Sequence, residues 1–192
     1  MIPSEIILDH SLLLSLPENM TIITGLDALS HACESIWNKN MTSQSFAFAI
    51  DALEILIKRL PEARNSLDNN EFRKDMQIAS FKSGCAIAIT RTALAHSMSY
   101  PITAHMGIPH GLACSFTLPQ LYEFNLGEND GRFDLVASRL NLRGVEELKY
   151  IIQDLLEEVK IKGKLHEYNG FTSDTIMPLI KYMLTPGRAD NN

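Results

Sequence analysis

Apolar residues recur at three- and four-residue spacing along most of the chain, the mark of amphipathic helices. One helix is expected from about Thr24 to Trp37, with Thr24 as its cap, Asp27 in its first turn and Leu26, Leu29, Ala32 and Cys33 on one face. A second spans Thr42 to Leu60, where Phe46, Ile50, Leu53, Ile57 and Leu60 share a face and Pro61 stops it. Asn69 and Asn70 mark a turn into a third helix through Met76, Phe81 and Ala88, whose small-residue second half reads as central and buried all round. The next helix carries His96 and closes at Tyr100-Pro101, and another starts near Pro109 with Leu112, Phe116, Leu118 and Leu121 inward. Phe133 to Leu140, Val145 to Val159 and Ser173 to Leu184 complete the set, with a loop over Lys162 to Thr172 and a frayed tail from Arg188 to Asn192. Only Ser4 to Leu8 reads as a strand, and one short strand cannot make a sheet. The expected fold is therefore an all-α bundle with a short N-terminal extended segment.

Composition narrows the function more than the fold. The 192 residues are 45% hydrophobic and 21% charged with a net charge of −6, which suits one globular domain and argues against nucleic acid as a partner. No apolar run is long enough to cross a bilayer, and the opening stretch lacks the pattern of a signal peptide, so a cytoplasmic protein is expected. Cys33, Cys85 and Cys114 are odd in number and widely spaced, the usage of free thiols in a reducing compartment.

The chemistry concentrates in histidines set among small and apolar residues. Asp27 and His31 lie at i and i+4, which a helix places on one face about 5–6 Å apart at Cβ. His96 belongs to a small-residue helix, and His110 opens another just after Gly107-Ile108-Pro109. One carboxylate and three imidazoles suit a divalent transition metal acting as a Lewis acid on a carbonyl or alkoxide. Singly, each has a plainer role, as a hydrogen-bonded core histidine or a helix-dipole carboxylate, and the residues alone leave both readings open. Cysteine ligation is not expected: Cys33 points away from His31, and neither Cys85 nor Cys114 has a CxxC partner. His10, His105 and His166 read as surface or loop residues, with His105 a candidate to support the site. No G-x-G-x-x-G or βαβ pattern is present to hold a nicotinamide cofactor.

Three blocks, Thr24-Gly25-Leu26-Asp27-Ala28-Leu29-Ser30-His31-Ala32-Cys33-Glu34, Ala95-His96-Ser97-Met98-Ser99-Tyr100 and Ile108-Pro109-His110-Gly111, followed by Leu184-Thr185-Pro186-Gly187-Arg188, resemble the iron-containing (group III) alcohol dehydrogenases, whose fold is shared with dehydroquinate synthase. The resemblance covers nearly the whole chain and corresponds to that family's helical C-terminal half. It implies that Asp27, His31, His96 and His110 fall on metal-ligand positions, that the metal is Fe²⁺ or sometimes Zn²⁺, and that hydride reaches a small alcohol or aldehyde substrate from NAD(P) bound by an N-terminal domain. On this reading residues 1–23 form a junction segment, 24–192 the metal-binding domain, and the nucleotide-binding domain is absent. The chain alone would then bind metal without turnover and would form a homo-oligomer. Many members carry a further histidine where this chain has Tyr100, which could position substrate or relay a proton. The block Arg91 to Pro101 is similar to the subgroup that reduces phosphonoacetaldehyde, and Arg91 or Lys82 could clamp a phosphonate, although Arg91 equally reads as a helix-end surface charge. The rival to an enzyme fragment is a non-catalytic helical module that serves assembly.

Overall fold

A helix buries itself on every side only when its neighbours surround it, and the stretch that comes nearest to that here runs from Thr21 to Trp37, where Thr24 is exposed, Asp27 and His31 are half-buried and the rest are buried. The computed structural model describes residues 3–168 and 170–192; Met1 and Ile2 of the expected junction segment and Asn169 of the expected loop lie outside the described residues. Helix α1 (Glu18–Trp37) is packed against α2 (Ser43–Arg59), α3 (Asn70–Thr90), α4 (Leu94–Met106) and α5 (His110–Ser115). Leu26, Leu29, Ala32 and Cys33 are wholly buried, each large apolar side chain contributing on the order of 1.5–3 kcal/mol. The central helix is thus α1. The second half of α3 is buried on one side only, with Ala88 and Ile89 exposed, because small residues permit close packing without requiring it all round.

Helix α1 begins at Glu18, six residues before the expected cap. Pro17 is its N-cap residue, and Thr24 instead bonds back to the Met20 carbonyl inside the helix. Asp27 therefore sits mid-helix, where it gains little from the dipole. The early start is secured by Arg73, which is 1% exposed and donates to Thr21 Oγ1 at 2.8 Å and to the Leu16 and Leu67 carbonyls at 2.7 Å. Ser4 to Leu8 forms no strand: no second strand exists among the described residues to receive its backbone bonds, and Ile6 and Ile7 are exposed.

The caps of the next two helices follow the sequence closely. Thr42 and Ser45 form a reciprocal capping box for α2, and Asn69 Oδ1 accepts from Glu71 N and Phe72 N at the start of α3. Helix α4 does not stop at Pro101 but continues to Met106 and ends at Gly107, whose φ of +68° a non-glycine residue would resist. After α5, helix α6 (Leu118–Leu126) starts afresh with Pro119 in its first turn.

The remaining α-helices are α7 (Arg132–Arg139), α8 (Glu147–Glu158), α9 (Ile161–His166), α10 (Ser173–Ile176) and α11 (Ile180–Met183). Helix α9 occupies part of the expected loop, since Ile161 and Leu165 are buried. Pro178 divides the expected last helix through a 3-10 turn. The tail is held rather than frayed: Asn191 is buried, its carbonyl accepts from Lys39 N, and its Nδ2 donates to the Thr92 carbonyl. None of the three cysteines is paired, and among the described residues no helix is long and apolar enough to cross a membrane.

Candidate metal centre

Three helices meet at one carboxylate oxygen. Asp27 Oδ1 lies 3.7 Å from His31 Nε2 on the same helix, 3.5 Å from His96 Nε2 on α4 and 3.7 Å from His110 Nε2 at the start of α5. A tetrahedron built on metal bonds of about 2.0–2.1 Å has edges of about 3.3–3.4 Å, only slightly shorter than the three edges that start at Asp27 Oδ1. Asp27 Oδ1 and His96 Nε2 are both buried without a hydrogen-bond partner, an arrangement that costs free energy unless something satisfies them. The donors present therefore fit a divalent cation.

Glu34 is what fixes His96. This carboxylate, one further turn along α1 from His31, is fully buried and accepts from His96 Nδ1 at 2.6 Å, from His96 N at 3.1 Å and from Ala93 N at 3.0 Å. With Nδ1 donating to Glu34, Nε2 is turned toward Asp27, the arrangement in which an imidazole serves a metal. The two backbone bonds also lock the start of α4 onto α1. They require a sharp reversal between α3 and α4, and Arg91 takes it with φ +63° and ψ 174°, a region used almost only by glycine.

Gly111 sets the approach of α5. A Cβ at this position would lie 2.0 Å from the Ile23 carbonyl oxygen and 3.1 Å from Asp27 N, so the start of α5 rests directly on the backbone of α1. His110, next to that contact, is carried over Asp27.

The electrostatics favour positive charge at the centre. Burial alone would raise the Asp27 carboxyl, yet His96, His31 and His110 hold it below its ordinary value. Burial pushes His31 down to about 4 and lowers His110, which favours in both the neutral imidazole that can donate to a metal. Burial also opposes charge on His96, but Asp27, Cys114 and Glu34 overcome it and push this imidazole up to about 12. The two carboxylates that flank the His96 ring thus favour positive charge at this point.

The profile of the Fe-containing alcohol dehydrogenase family, C-terminal, matches residues 21–179. This chain belongs to that family. It is 33% identical over 175 residues to the probable alcohol dehydrogenase EutG of Escherichia coli (strain K12), covering 90% of this chain and 44% of that protein. It is 32% identical over 123 residues to the phosphonoacetaldehyde reductase of Streptomyces viridochromogenes, covering 64% of this chain and 31% of that one. Among solved structures, the sulfoacetaldehyde reductase of Bifidobacterium kashiwanohense in complex with NAD+ superposes with a TM-score of 0.88 at 31% identity, over 96% of this chain and 48% of that one. The iron-containing alcohol dehydrogenase of Thermotoga maritima gives a TM-score of 0.79 at 30% identity, over 100% and 50%. The chain spans half or less of the length of each of these relatives.

Within this iron-dehydrogenase domain three of the four expected donors, Asp27, His96 and His110, draw together with Cys114, whereas His31 meets that group through Asp27 Oδ1 and by stacking on the His96 ring at 4.6 Å. Cys114, one turn along α5 from His110, has its Sγ 3.5 Å from His110 Nε2, and the donor atoms of Asp27, His96, His110 and Cys114 all lie within 4.8 Å of one another. A missing CxxC partner was no guide, because the helix itself supplies the proximity at i+4. His105 is exposed at the far end of α4 with its ring 6.3 Å from that of Tyr182, so the supporting role passes to Glu34. Tyr100 does reach the centre, its ring stacked on His110 at 5.3 Å. The Arg91 side chain is exposed and makes no ion pair among the described residues, and Lys82 is engaged by Asp51 at 2.6 Å. The arginine beside the site is Arg188, whose guanidinium lies 4.6 Å over the Tyr100 ring.

Proposed function

We propose that this chain is the metal- and substrate-binding part of an NAD(P)-dependent alcohol dehydrogenase that reduces small aldehydes, with phosphonoacetaldehyde as the candidate substrate. The observation that carries the reading is the facing pair Asp27 Oδ1 and His96 Nε2, 3.5 Å apart, buried and otherwise unpartnered. Asp27, His31, His96 and His110 would hold the ion, iron by family habit and zinc by the liking of the same donors. When bound, such an ion supplies a Lewis acid that polarises a carbonyl.

The chain's own residues do the rest. Glu34 keeps the His96 ring turned with Nε2 toward Asp27, and the Gly111 contact keeps His110 in register with α1. Tyr100, its ring against His110 and 38% exposed, carries a hydroxyl that could orient a substrate oxygen or pass it a proton. The sequence holds no glycine-rich phosphate cradle, so the hydride donor would be held by residues outside it.

Elemental analysis tests this directly. After loading with Fe²⁺ or Zn²⁺ the chain should retain about one ion, and Asp27→Ala and His110→Ala should each lose most of it. NADH with candidate aldehydes should show no appreciable turnover on the chain alone. Retention of no metal by the parent, or equal retention by both variants, would overturn the reading.

A further inference from the structure

Arg188 is an unpaired cation placed beside a site for another cation. The guanidinium groups of Arg59, Arg64, Arg132, Arg139 and Arg143 each meet a carboxylate and that of Arg73 meets carbonyls and a hydroxyl, whereas Arg188, like Arg91, meets no carboxylate among the described residues; of these two only Arg188 lies against a ring of the site. Its recorded partner is the face of Tyr100, whose ring stacks in turn on His110. Among the described residues the Arg188 guanidinium donates no hydrogen bond, so its N–H groups stay available to a bidentate acceptor.

The position is built, not incidental. Ser97 Oγ donates to the Met183 carbonyl and accepts from Thr185 N at 3.2 Å, which fastens the strap leading to Arg188 onto α4 one residue from His96. Arg188 N donates to the Thr185 carbonyl at 3.2 Å, and beyond it Asn191 Nδ2 binds the Thr92 and Gly187 carbonyls at 2.9 and 3.0 Å. The strap is thus tied to the start of α4 on both sides of Arg188. Charge then decides what it is for: a divalent ion is balanced by Asp27 and Glu34, and the guanidinium is left over.

We infer that Arg188 recognises a tetrahedral oxyanion on the substrate, a phosphonate or a sulfonate, so that the site selects short aldehydes and alcohols carrying such a group over neutral ones. This rests on the metal-site reading above for where the carbonyl end goes. Planar, always charged and forked, a guanidinium suits this group better than an ammonium.

The test uses the Co²⁺-loaded chain, titrated calorimetrically with 2-hydroxyethylphosphonate, 2-hydroxyethanesulfonate and propan-1-ol, with the visible cobalt spectrum followed in parallel. At least one anion should bind about 10-fold or more tightly than propan-1-ol and perturb the spectrum. Whichever of phosphonate and sulfonate binds more tightly names the group. Arg188→Gln should weaken anion binding by about 10-fold, Arg188→Lys by less, and neither should change cobalt uptake or the melting temperature appreciably. Arg91→Gln should leave anion binding as in the parent. Equal binding of anions and propan-1-ol, an unchanged Arg188→Gln variant, or a loss seen with Arg91→Gln instead would each overturn the inference. If the parent takes up no cobalt but still binds the anions through Arg188, the metal reading fails and the anion site stands.

Discussion

Replacing Gly111 by alanine probes the close approach on which the centre depends. The added Cβ would stand 2.0 Å from the Ile23 carbonyl oxygen, a backbone atom in the middle of α1 that has no rotamer to escape into. Restoring an ordinary C···O contact of roughly 3.3 Å means moving the start of α5 away from α1 by about 1.3 Å. Overpacking of this kind typically costs about 1–3 kcal/mol, which in a chain of this size lowers the melting temperature by roughly 2–12 °C. The effect on the metal should be larger than the effect on the fold. Asp27 Oδ1 and His110 Nε2 are already 3.7 Å apart, and metal–ligand distances tolerate only about ±0.2 Å, so a retreat of that size takes one corner out of the site.

Gly84→Ala serves as the control, because a Cβ there meets nothing within 4 Å. In the interior of α3 it should be neutral or stabilise by about 0.5–1 kcal/mol through helix propensity. Thermal melts of the metal-free proteins and Co²⁺ titrations measure both quantities. Gly111→Ala is expected to melt lower and to bind cobalt on the order of 10- to 100-fold more weakly, as loss of a supporting contact commonly does. A Gly111→Ala protein that melted with the parent and bound cobalt within a factor of about two would refute the reasoning, since α5 could not then rest on α1 as described.

Three further substitutions test neighbouring links. Glu34→Gln removes the carboxylate from His96 Nδ1 while leaving an oxygen for one backbone N–H, and should weaken cobalt binding by about 10- to 100-fold with helical content retained in far-UV circular dichroism. Arg91→Gly relieves a backbone conformation of φ +63° and ψ 174° and should stabilise by about 1 kcal/mol in urea unfolding; a lower midpoint would mean that the reversal between α3 and α4 is not strained. Cys114→Ser separates a thiolate ligand from a bystander: if the sulfur binds, the parent's Co²⁺ form shows a near-ultraviolet sulfur-to-cobalt charge-transfer band that the variant lacks, and identical spectra would exclude ligation.

What the sequence made legible was whatever a local pattern encodes. Asp27 and His31 at i and i+4 had to share a face, and the small residues around His96 and His110 marked imidazoles in need of a partner. The caps Thr42 and Asn69 were equally local, since each bonds to residues two or three positions away. What was hidden depends on distant partners. Nothing near Glu34 announces that it receives Ala93 and His96 from about sixty residues away, and nothing near Arg188 places it over Tyr100. The start of α1 was misplaced for the same reason: Arg73 ties Leu16 and Thr21 from across the chain, whereas Thr24 carries the local signature of a cap. The strand at Ser4 to Leu8 failed in the opposite sense, for its apolar residues are suited to a ladder but a ladder needs a second strand. The candidate donors are thus written in short motifs, while the groups that orient them and the groups that would select a substrate are fixed only when α4, α5 and the C-terminal strap close onto α1.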